Sequence, residues 1–396
     1  MPGLPLNKVL SEYGTTIFTT MSALAVAHQA INLGQGFPGE DGPEDIRAVA
    51  AKALMDGPNQ YPPSQGLPEL RQAVAAHNAR FYGLQVDWQK QVLVTSGATE
   101  ALAATLSALL NPGDEVVLFE PMFDVYLPIV QLAGAVARPV RLRPPAWELP
   151  REALSNACTQ NTKIILLNSP MNPIGKVFSR DELHFIADLA IAHDAYVVCD
   201  EVYEHLTFDG APHIPIMTLP GMAQRSVRIG SAGKSFSLTG WKVGYITAPE
   251  QLAEIIAKAH QFLTFTTAPN LQKAVAYGLA KDDGYFNSLA ADMQASRDLL
   301  GDGLRHIGFD VLPCQGTYFV IAGYSAFARD GEDDVAFCKR ITTEAGVAAM
   351  PLSPFSMAAM PGGSGELPAE KLIRFCFCKQ DAVLQEALDR LQRYLG

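Results

Sequence analysis

The sequence predicts an α/β protein in which a large domain, built on a mostly parallel, doubly wound sheet, is joined to a smaller α+β domain. Three observations lead to this prediction. The chain has 396 residues, which is more than a single hydrophobic core usually supports. Hydrophobic residues make up 48% of it, enough to fill two cores. Short apolar runs alternate with helical patterns as far as about residue 280, and the pattern changes after that point.

Several apolar runs are predicted to be buried parallel strands, because they are too continuously apolar for strands that expose one face to water. These runs lie at residues 91–94, 115–119, 163–167, 196–199 and 227–229. Helical patterns come between and after them, at Thr99–Leu110, Asp181–His193 and Gln251–His260. Strands that alternate with helices in this way are typical of a doubly wound sheet.

The remainder of the chain carries a different order of elements. The predicted elements are a long helix at 291–306, a strand at 317–322, a helix at 334–345, a strand at 372–377 and a closing helix. We therefore assign residues 45–280 to the large domain, and residues 31–44 with 281–396 to the small one. Residues 1–30 can bury little apolar surface by themselves. They are predicted to form an N-terminal arm that packs at a dimer interface or at the mouth of the functional site.

Composition excludes some classes of partner. A formal net charge of -11 argues against binding to nucleic acid or to an anionic membrane surface. Residues 1–5 lack the basic and apolar segments of a secretion signal, so a cytoplasmic protein is expected. The six cysteines show neither the spacing of a redox pair nor that of a zinc site. They are predicted to be buried thiols, and no metal site is predicted.

Polar side chains follow the predicted strands where those strands end. Ligands of open α/β sheets collect at the carboxyl ends of parallel strands. Residues 95–99 (TSGAT) are small and open a predicted helix, so an anion can approach the backbone N–H groups there. Phe123 offers a ring for stacking, and Asn172 offers an amide donor. Asp200 follows four apolar residues, and a carboxylate so deeply placed needs a cationic partner.

The fifth predicted strand leads to Lys234 within residues 231–234 (SAGK), and Lys242 follows eight residues later. A lysine amine attacks a carbonyl group only when it is neutral, and burial or a neighbouring cation lowers its pKa. The segment is not a nucleotide-binding P-loop, because Arg228 stands where that motif requires glycine.

A phosphate cup, a stacking ring, a buried carboxylate and an amine are together the parts needed to bind pyridoxal 5'-phosphate. Asp200 is then expected to keep the pyridine nitrogen protonated. A charge pair at about 4 Å is worth on the order of 4 kcal/mol at an effective dielectric constant of 20. A nicotinamide dehydrogenase is a weaker hypothesis. Residues 34–39 match the spacing G-x-G-x-x-G, but residues 39–43 have the composition of a loop and do not open a helix.

Seven segments resemble those of the class I, fold-type I pyridoxal-phosphate aminotransferases, and they span nearly the whole chain. These segments are 32–38 (NLGQGFP), 59–61 (NQY), 172–173 (NP), 200–203 (DEVY), 231–234 (SAGK), 240–244 (GWKVG) and 373–375 (IRF). Within that class, the chain is most similar to the kynurenine–oxoglutarate and glutamine transaminases and to bacterial methionine aminotransferases. This narrower similarity rests on 34–38 (GQGFP), 123–126 (FDVY) and 314–319 (CQGTYF).

The resemblance implies a role for each matching cofactor residue. Lys234 forms the Schiff base and then moves the proton at the substrate α-carbon. Asp200 pairs with the pyridine nitrogen, Tyr203 and Asn172 donate to the phenolic oxygen, and Phe123 stacks on the ring. The residues implied to hold the phosphate are Ala98, Thr99, Ser231 and Lys242, with Gly97 shaping the cup and Tyr61 reaching in from the neighbouring subunit.

The resemblance also implies how the substrate is held. Arg374 binds the α-carboxylate through two parallel hydrogen bonds, assisted by Gly36 and Asn172. Phe18 stands where animal members of the nearest subgroup carry tryptophan. Residues 261–269, which include Phe265, are expected at the partner subunit's site. They contain no arginine to pair with a second carboxylate, which disfavours substrates such as aspartate.

The predicted function is that of a homodimeric aminotransferase with shared active sites. It transfers the amino group of a neutral, rather large amino acid (methionine, phenylalanine, glutamine or kynurenine) to a 2-oxo acid. One alternative is a β-lyase that acts on cysteine S-conjugates. Another is a cofactor-binding regulator without turnover. Such a regulator needs a DNA-reading domain, and no basic helix-turn-helix segment precedes Asn32.

Overall fold

The computed structural model describes Leu4 and residues 6–396, so residues 1–3 and 5 of the predicted arm lie outside the described residues. The helices are α1 (Ile17–Ala27), α2 (Glu44–Asp56), α3 (Pro68–Tyr82), α4 (Trp88–Gln91), α5 (Gly97–Leu109), α6 (Tyr126–Leu132), α7 (Arg151–Ala157), α8 (Arg180–Ala192), α9 (Ala232–Ser235), α10 (Glu250–Leu263), α11 (Pro269–Leu279), α12 (Asp283–Ile307), α13 (Asp334–Arg340) and α14 (Asp381–Leu395). The strands are β1 (Ile31–Asn32), β2 (Val92–Thr95), β3 (Glu115–Glu120), β4 (Val136–Arg141), β5 (Thr162–Asn168), β6 (Tyr196–Asp200), β7 (Ser226–Ser231), β8 (Gly244–Thr247), β9 (Asp310–Val311), β10 (Phe319–Gly323), β11 (Val347–Ala348), β12 (Met350–Pro351) and β13 (Leu372–Cys376).

A seven-stranded sheet with the order β2-β8-β7-β6-β5-β3-β4 forms the centre of the molecule. Strand β8 runs antiparallel to both of its neighbours, and the other strands share one direction. The predicted α/β class with a mostly parallel sheet is therefore confirmed. Sequence patterns did not reveal β4 or β8. Strand β4 contains Arg138, Pro139 and Arg141, so it lacks the continuous apolar run used to find the others.

The central sheet separates two hydrophobic cores. Val117 and Phe119 of β3 belong to one core, whereas Val116 and Leu118 belong to the other. Successive side chains of a strand point to opposite faces, so helices must cover both faces of this sheet. This double burial explains why the strand sequences are continuously apolar.

A second, antiparallel sheet has the strand order β12-β13-β10-β9, with α12 and α14 packed against one another beside it. Strand β1 pairs in parallel with β11, which places residues 31–32 with the C-terminal part of the chain. Helix α1 buries Met21 and Ala25 against the same part. The exact domain boundaries at residues 45 and 280 stay a prediction.

All six cysteines are buried free thiols, as predicted. Among the described residues, every helix is too short or too polar to cross a bilayer.

Candidate active site

A cavity of about 450 Å³ opens at the carboxyl ends of the central strands, facing the second sheet. Most of the predicted site residues line it, although they come from distant parts of the chain. The predicted residues that line the cavity are Phe18, Gly36, Gly97, Ala98, Thr99, Phe123, Asn172, Asp200, Tyr203, Ser231, Lys234, Lys242 and Arg374. Tyr61 and Phe265 do not line it.

The start of α5 forms one end of the cavity and is suited to an anion. Gly97 has a φ of +78°, which glycine adopts without strain. A Cβ atom at Gly97 would lie 3.1 Å from Cε and 3.2 Å from Nζ of Lys242, so only glycine lets the Lys242 amine come so near the backbone. The helix N-terminus and the Lys242 ammonium together provide the donors and the positive potential that a phosphate requires.

Asp200 lies at the floor of the cavity, at the end of β6 and directly beside Asn168 of β5. Its Oδ2 accepts a hydrogen bond from the Tyr126 hydroxyl at 2.8 Å, and its Oδ1 accepts one from the Val202 backbone N–H at 3.4 Å. Burial raises the pKa of Asp200 to about 6, although these hydrogen bonds oppose the rise. A cationic N–H donor stabilises a buried carboxylate whose pKa is raised in this way, and a protonated pyridine ring supplies such a donor.

The residues after Asp200 are held by a buried ion-pair cluster. Arg228 of β7 bonds to the carboxylates of Glu201 and Glu204, and all three side chains are buried. Breaking a buried pair of this kind costs several kcal/mol, so the turn that carries Asp200 and Tyr203 is firmly fixed. Arg228, which rules out a P-loop, thus helps to hold in place the turn that carries two of the site residues.

Lys234 projects from the short helix α9 into the cavity. Its Nζ donates a hydrogen bond to the Tyr318 hydroxyl at 2.7 Å, and that hydroxyl donates to the Gly36 carbonyl at 2.7 Å. Burial lowers the pKa of Lys234, and the positive charge of Lys242 lowers it further. A neutral amine is therefore easier to form here than in water, as a Schiff-base lysine needs.

Arg374 of β13 forms the opposite wall of the cavity and is only 1% exposed. Its Nη1 donates to Asn172 Oδ1 and its Nη2 to the Gly34 carbonyl, both at 2.8 Å. Its guanidinium lies 3.7 Å from the centre of the Phe319 ring. Burial lowers the pKa of Arg374 to about 10. Nε has no hydrogen-bond partner among the described residues, so an anion is the partner this buried cation lacks.

Tyr61 and Phe265 lie together outside this cavity. Their rings meet edge to face, with centres 5.3 Å apart, and the two residues are 83% and 40% exposed. Phe262 nearby is 85% exposed. Their predicted position at the partner subunit's site stays a prediction.

The sequence patterns assigned no role to Tyr126 and Tyr318, although both contact predicted site residues. Tyr126 bonds to Asp200, and Tyr318 bonds to Lys234. Both stand inside segments that carried the family resemblance, at 123–126 and 314–319. Their contacts span 74 and 84 residues, so the fold alone brings them to their partners.

The fold and the donor set of this cavity define a pyridoxal-phosphate aminotransferase. A family model for aminotransferase class I and II matches residues 28–391, and the chain belongs to that family. It is 43% identical to a probable N-succinyldiaminopimelate aminotransferase of Mycobacterium tuberculosis, over 96% of each chain. It is 39% identical to a methionine aminotransferase of Escherichia coli over 99% of each chain. A human kynurenine–oxoglutarate transaminase is 36% identical over 96% of this chain and 88% of the human one.

Solved structures agree with the sequence relatives. An Escherichia coli methionine aminotransferase superposes with a TM-score of 0.93, at 39% identity, over 99% of this chain and 100% of that one. The Mycobacterium tuberculosis N-succinyldiaminopimelate aminotransferase gives a TM-score of 0.92, at 42% identity, over 98% of this chain and 100% of that one. The predicted fold type, enzyme class and cofactor are therefore confirmed.

Proposed function

We propose that this aminotransferase acts on neutral, rather large amino acids such as methionine, phenylalanine, glutamine and kynurenine. The observation that carries the proposal is the composition of the cavity. Arg374 is its only arginine among the described lining residues, and aromatic side chains, including Phe18 and Phe319, surround it. One guanidinium serves the α-carboxylate, which leaves none for a second acid group. Relatives named for methionine and kynurenine support this substrate class.

The proposed roles follow from the contacts within the cavity. When bound, pyridoxal phosphate supplies an electron sink for the bond broken at the substrate α-carbon. Lys234 removes and returns the proton at that carbon, which its lowered pKa favours. Arg374 orients the carboxylate. Asn172 Oδ1 accepts a hydrogen bond from Arg374, so the Asn172 amide N–H₂ remains available to donate into the cavity. The Tyr203 hydroxyl can also donate there.

The proposal includes a homodimer. The rings of Tyr61 and Phe265 are in contact, and both residues are exposed, as is Phe262 three residues before Phe265. Clustered exposed aromatic residues are typical of protein interfaces. We propose that each subunit contributes Tyr61 and Phe265 to its partner's cavity. Because free thiols persist in reducing compartments, the six buried free cysteines support a cytoplasmic location.

A second candidate substrate is N-succinyldiaminopimelate, because a relative with 43% identity is named for it. The relatives named above are all aminotransferases, so the β-lyase alternative gains no support from them.

The deciding experiment is a half-reaction screen. The cofactor-loaded enzyme is mixed with each amino acid alone, and conversion of the cofactor to its amino form is followed by absorbance. A rate for N-succinyldiaminopimelate far above that for methionine would contradict the neutral-substrate proposal.

Substituting Arg374 is expected to lower kcat/KM for every substrate. Arg374→Ala removes the carboxylate partner, and the loss of a buried charge pair costs about 2–5 kcal/mol, or roughly 30- to 5000-fold in kcat/KM. The measurement is kcat/KM for methionine, phenylalanine, glutamine and alanine. Arg374→Lys, which keeps the charge but cannot donate two parallel hydrogen bonds, should recover part of the loss. A loss confined to large substrates would assign Arg374 to the side-chain pocket instead.

Substituting Phe18 is expected to discriminate between substrates. Phe18→Ala removes an apolar wall. About 50 Å² of lost burial, at about 25 cal/mol per Å², corresponds to about 1.3 kcal/mol, or tenfold in kcat/KM. Phenylalanine and methionine should lose this factor, whereas alanine, which does not reach the wall, should be spared. Phe18→Leu serves as the matched control and should lie between the two. An equal loss for alanine would show that Phe18 acts on Arg374, whose guanidinium lies 5.6 Å from its ring.

A further inference from the structure

One charged side chain of the cavity is left without a role. The charged residues that line it are Asp124, Asp200, Lys234, Lys242 and Arg374. In the proposed function, Lys242 serves the phosphate, Asp200 the ring nitrogen, Lys234 the proton transfer and Arg374 the α-carboxylate. These roles give Asp124 no partner, because the substrate α-amino group is the group transferred to the cofactor and the α-carboxylate carries the same charge as Asp124. The substrate side chain is the remaining group that enters this space.

Asp124 is placed to meet that side chain. It follows Phe123 in the turn between β3 and α6 and lines the same cavity as Arg374. Burial raises the pKa of Asp124, and Arg374 is the cation that lowers it. In return, the Asp124 charge raises the pKa of Arg374 against the effect of burial. The two groups therefore lie within electrostatic reach. Among the described residues, no side chain donates a hydrogen bond to the Asp124 carboxylate.

We propose that Asp124 selects the substrate by its side chain, repelling a side-chain carboxylate and accepting a hydrogen bond from a side-chain N–H group. This inference rests on the proposed function and narrows its substrate class. A like charge brought into a partly buried site is strongly disfavoured. An N–H donor to a carboxylate instead forms a charge-assisted bond. Amino acids with a side-chain amide or aryl amine should thus be preferred over acidic ones of the same size.

Glutamine and glutamate provide an isosteric test, and methionine is a neutral reference without an N–H group. The measurement is kcat/KM for the three amino acids with wild-type enzyme, Asp124→Asn and Asp124→Glu. We expect the glutamine-to-glutamate ratio to fall by at least about tenfold in Asp124→Asn, mainly because glutamate gains relative to methionine. Asp124→Glu should retain a high ratio, since it keeps the charge. Asp188→Asn on α8, an exposed position, is the matched control and should leave the ratio as in wild type.

An unchanged glutamine-to-glutamate ratio in Asp124→Asn would overturn the proposal. If the unchanged ratio accompanies an equal change in kcat/KM for all three amino acids, Asp124 is a counter-ion of Arg374 only. If Asp124→Asn does not fold, Asp124→Ser takes its place.

A binding measurement separates this inference from the proposed function. Calorimetric titration with glutarate and with pentanoate compares a dicarboxylate with a monocarboxylate of equal chain length and requires no turnover. Asp124→Asn should strengthen glutarate binding by at least about tenfold relative to pentanoate. If wild-type enzyme transaminates none of the three amino acids but this shift occurs, the proposed function fails and the role of Asp124 stands. Equal changes for both acids would overturn the role of Asp124.

Discussion

Lys234→Ala is expected to abolish transamination and covalent attachment of the cofactor. Lys234 Nζ lies in the cavity, hydrogen-bonded to Tyr318, and its pKa is lowered by burial. No other group in this position can both bond to the cofactor and move the proton at the substrate α-carbon. Loss of a residue that acts in the transition state typically costs on the order of 10⁴-fold or more in kcat. Single-turnover kinetics with methionine measure the loss.

The site of attachment gives an independent check on Lys234. Borohydride reduction of the yellow, cofactor-loaded protein, followed by peptide mass spectrometry, should label Lys234. Lys242→Ala is the matched control, because Lys242 lies beside Gly97 at the start of α5, where we propose that the phosphate binds. This variant should weaken cofactor binding and leave the labelled position unchanged. Labelling at Lys242, or appreciable transamination by Lys234→Ala, would refute the assignment.

Asp200→Asn is expected to reduce kcat by about three orders of magnitude while the protein still folds, because a neutral pyridine ring is a poor electron sink. The amide cannot hold a proton on the ring nitrogen as the carboxylate does. Asp200→Glu, which keeps the charge but misplaces it, should retain more activity than Asp200→Asn. The measurement is the half-reaction rate at saturating methionine. A loss of less than tenfold in Asp200→Asn would make Asp200 a structural residue only.

Although Asp200→Asn should lower kcat, it should increase the stability of the cofactor-free protein. Burial raises the pKa of Asp200 from its ordinary value of 3.8 to about 6. The folded state therefore binds this proton more tightly than the unfolded state does. The ionised group consequently costs stability above pH 6, and the cost disappears as the pH falls below about 4. A shift of this size corresponds to about 3 kcal/mol.

Thermal unfolding of the cofactor-free forms tests this expectation. Asp200→Asn should have a higher Tm than wild type at pH 8, and the difference should shrink as the pH is lowered to about 4. Bound cofactor should reduce the difference, because the ring nitrogen supplies a positive partner. A lower Tm for Asp200→Asn at pH 8 would show that the Tyr126 hydrogen bond and the Lys234 charge outweigh the burial of the carboxylate.

Local patterns in the sequence predicted the class of fold, and most of the site residues named from those patterns and from the family resemblance line the cavity. Strand β5 is buried on both faces at residues 164–167, so its sequence there is apolar throughout and easily recognised. Residues 95–99 and 231–234 carry their chemistry within a few consecutive positions, and both segments line the cavity. Strand β4 was missed because its pattern is interrupted by Arg138 and Pro139.

The sequence by itself determined which groups the chain offers in or near its strands: the small residues 97–99, Asp200, Lys234, and Arg374 within β13. These are local properties, since each depends on a short segment and on the strand or helix next to it. Only the tertiary structure decided which groups meet across the cavity. Tyr126 reaches Asp200, Tyr318 reaches Lys234, and Asp124 faces the space shared with Arg374. Such contacts depend on the packing of elements far apart in the chain, and that packing is set by the whole core rather than by any one segment.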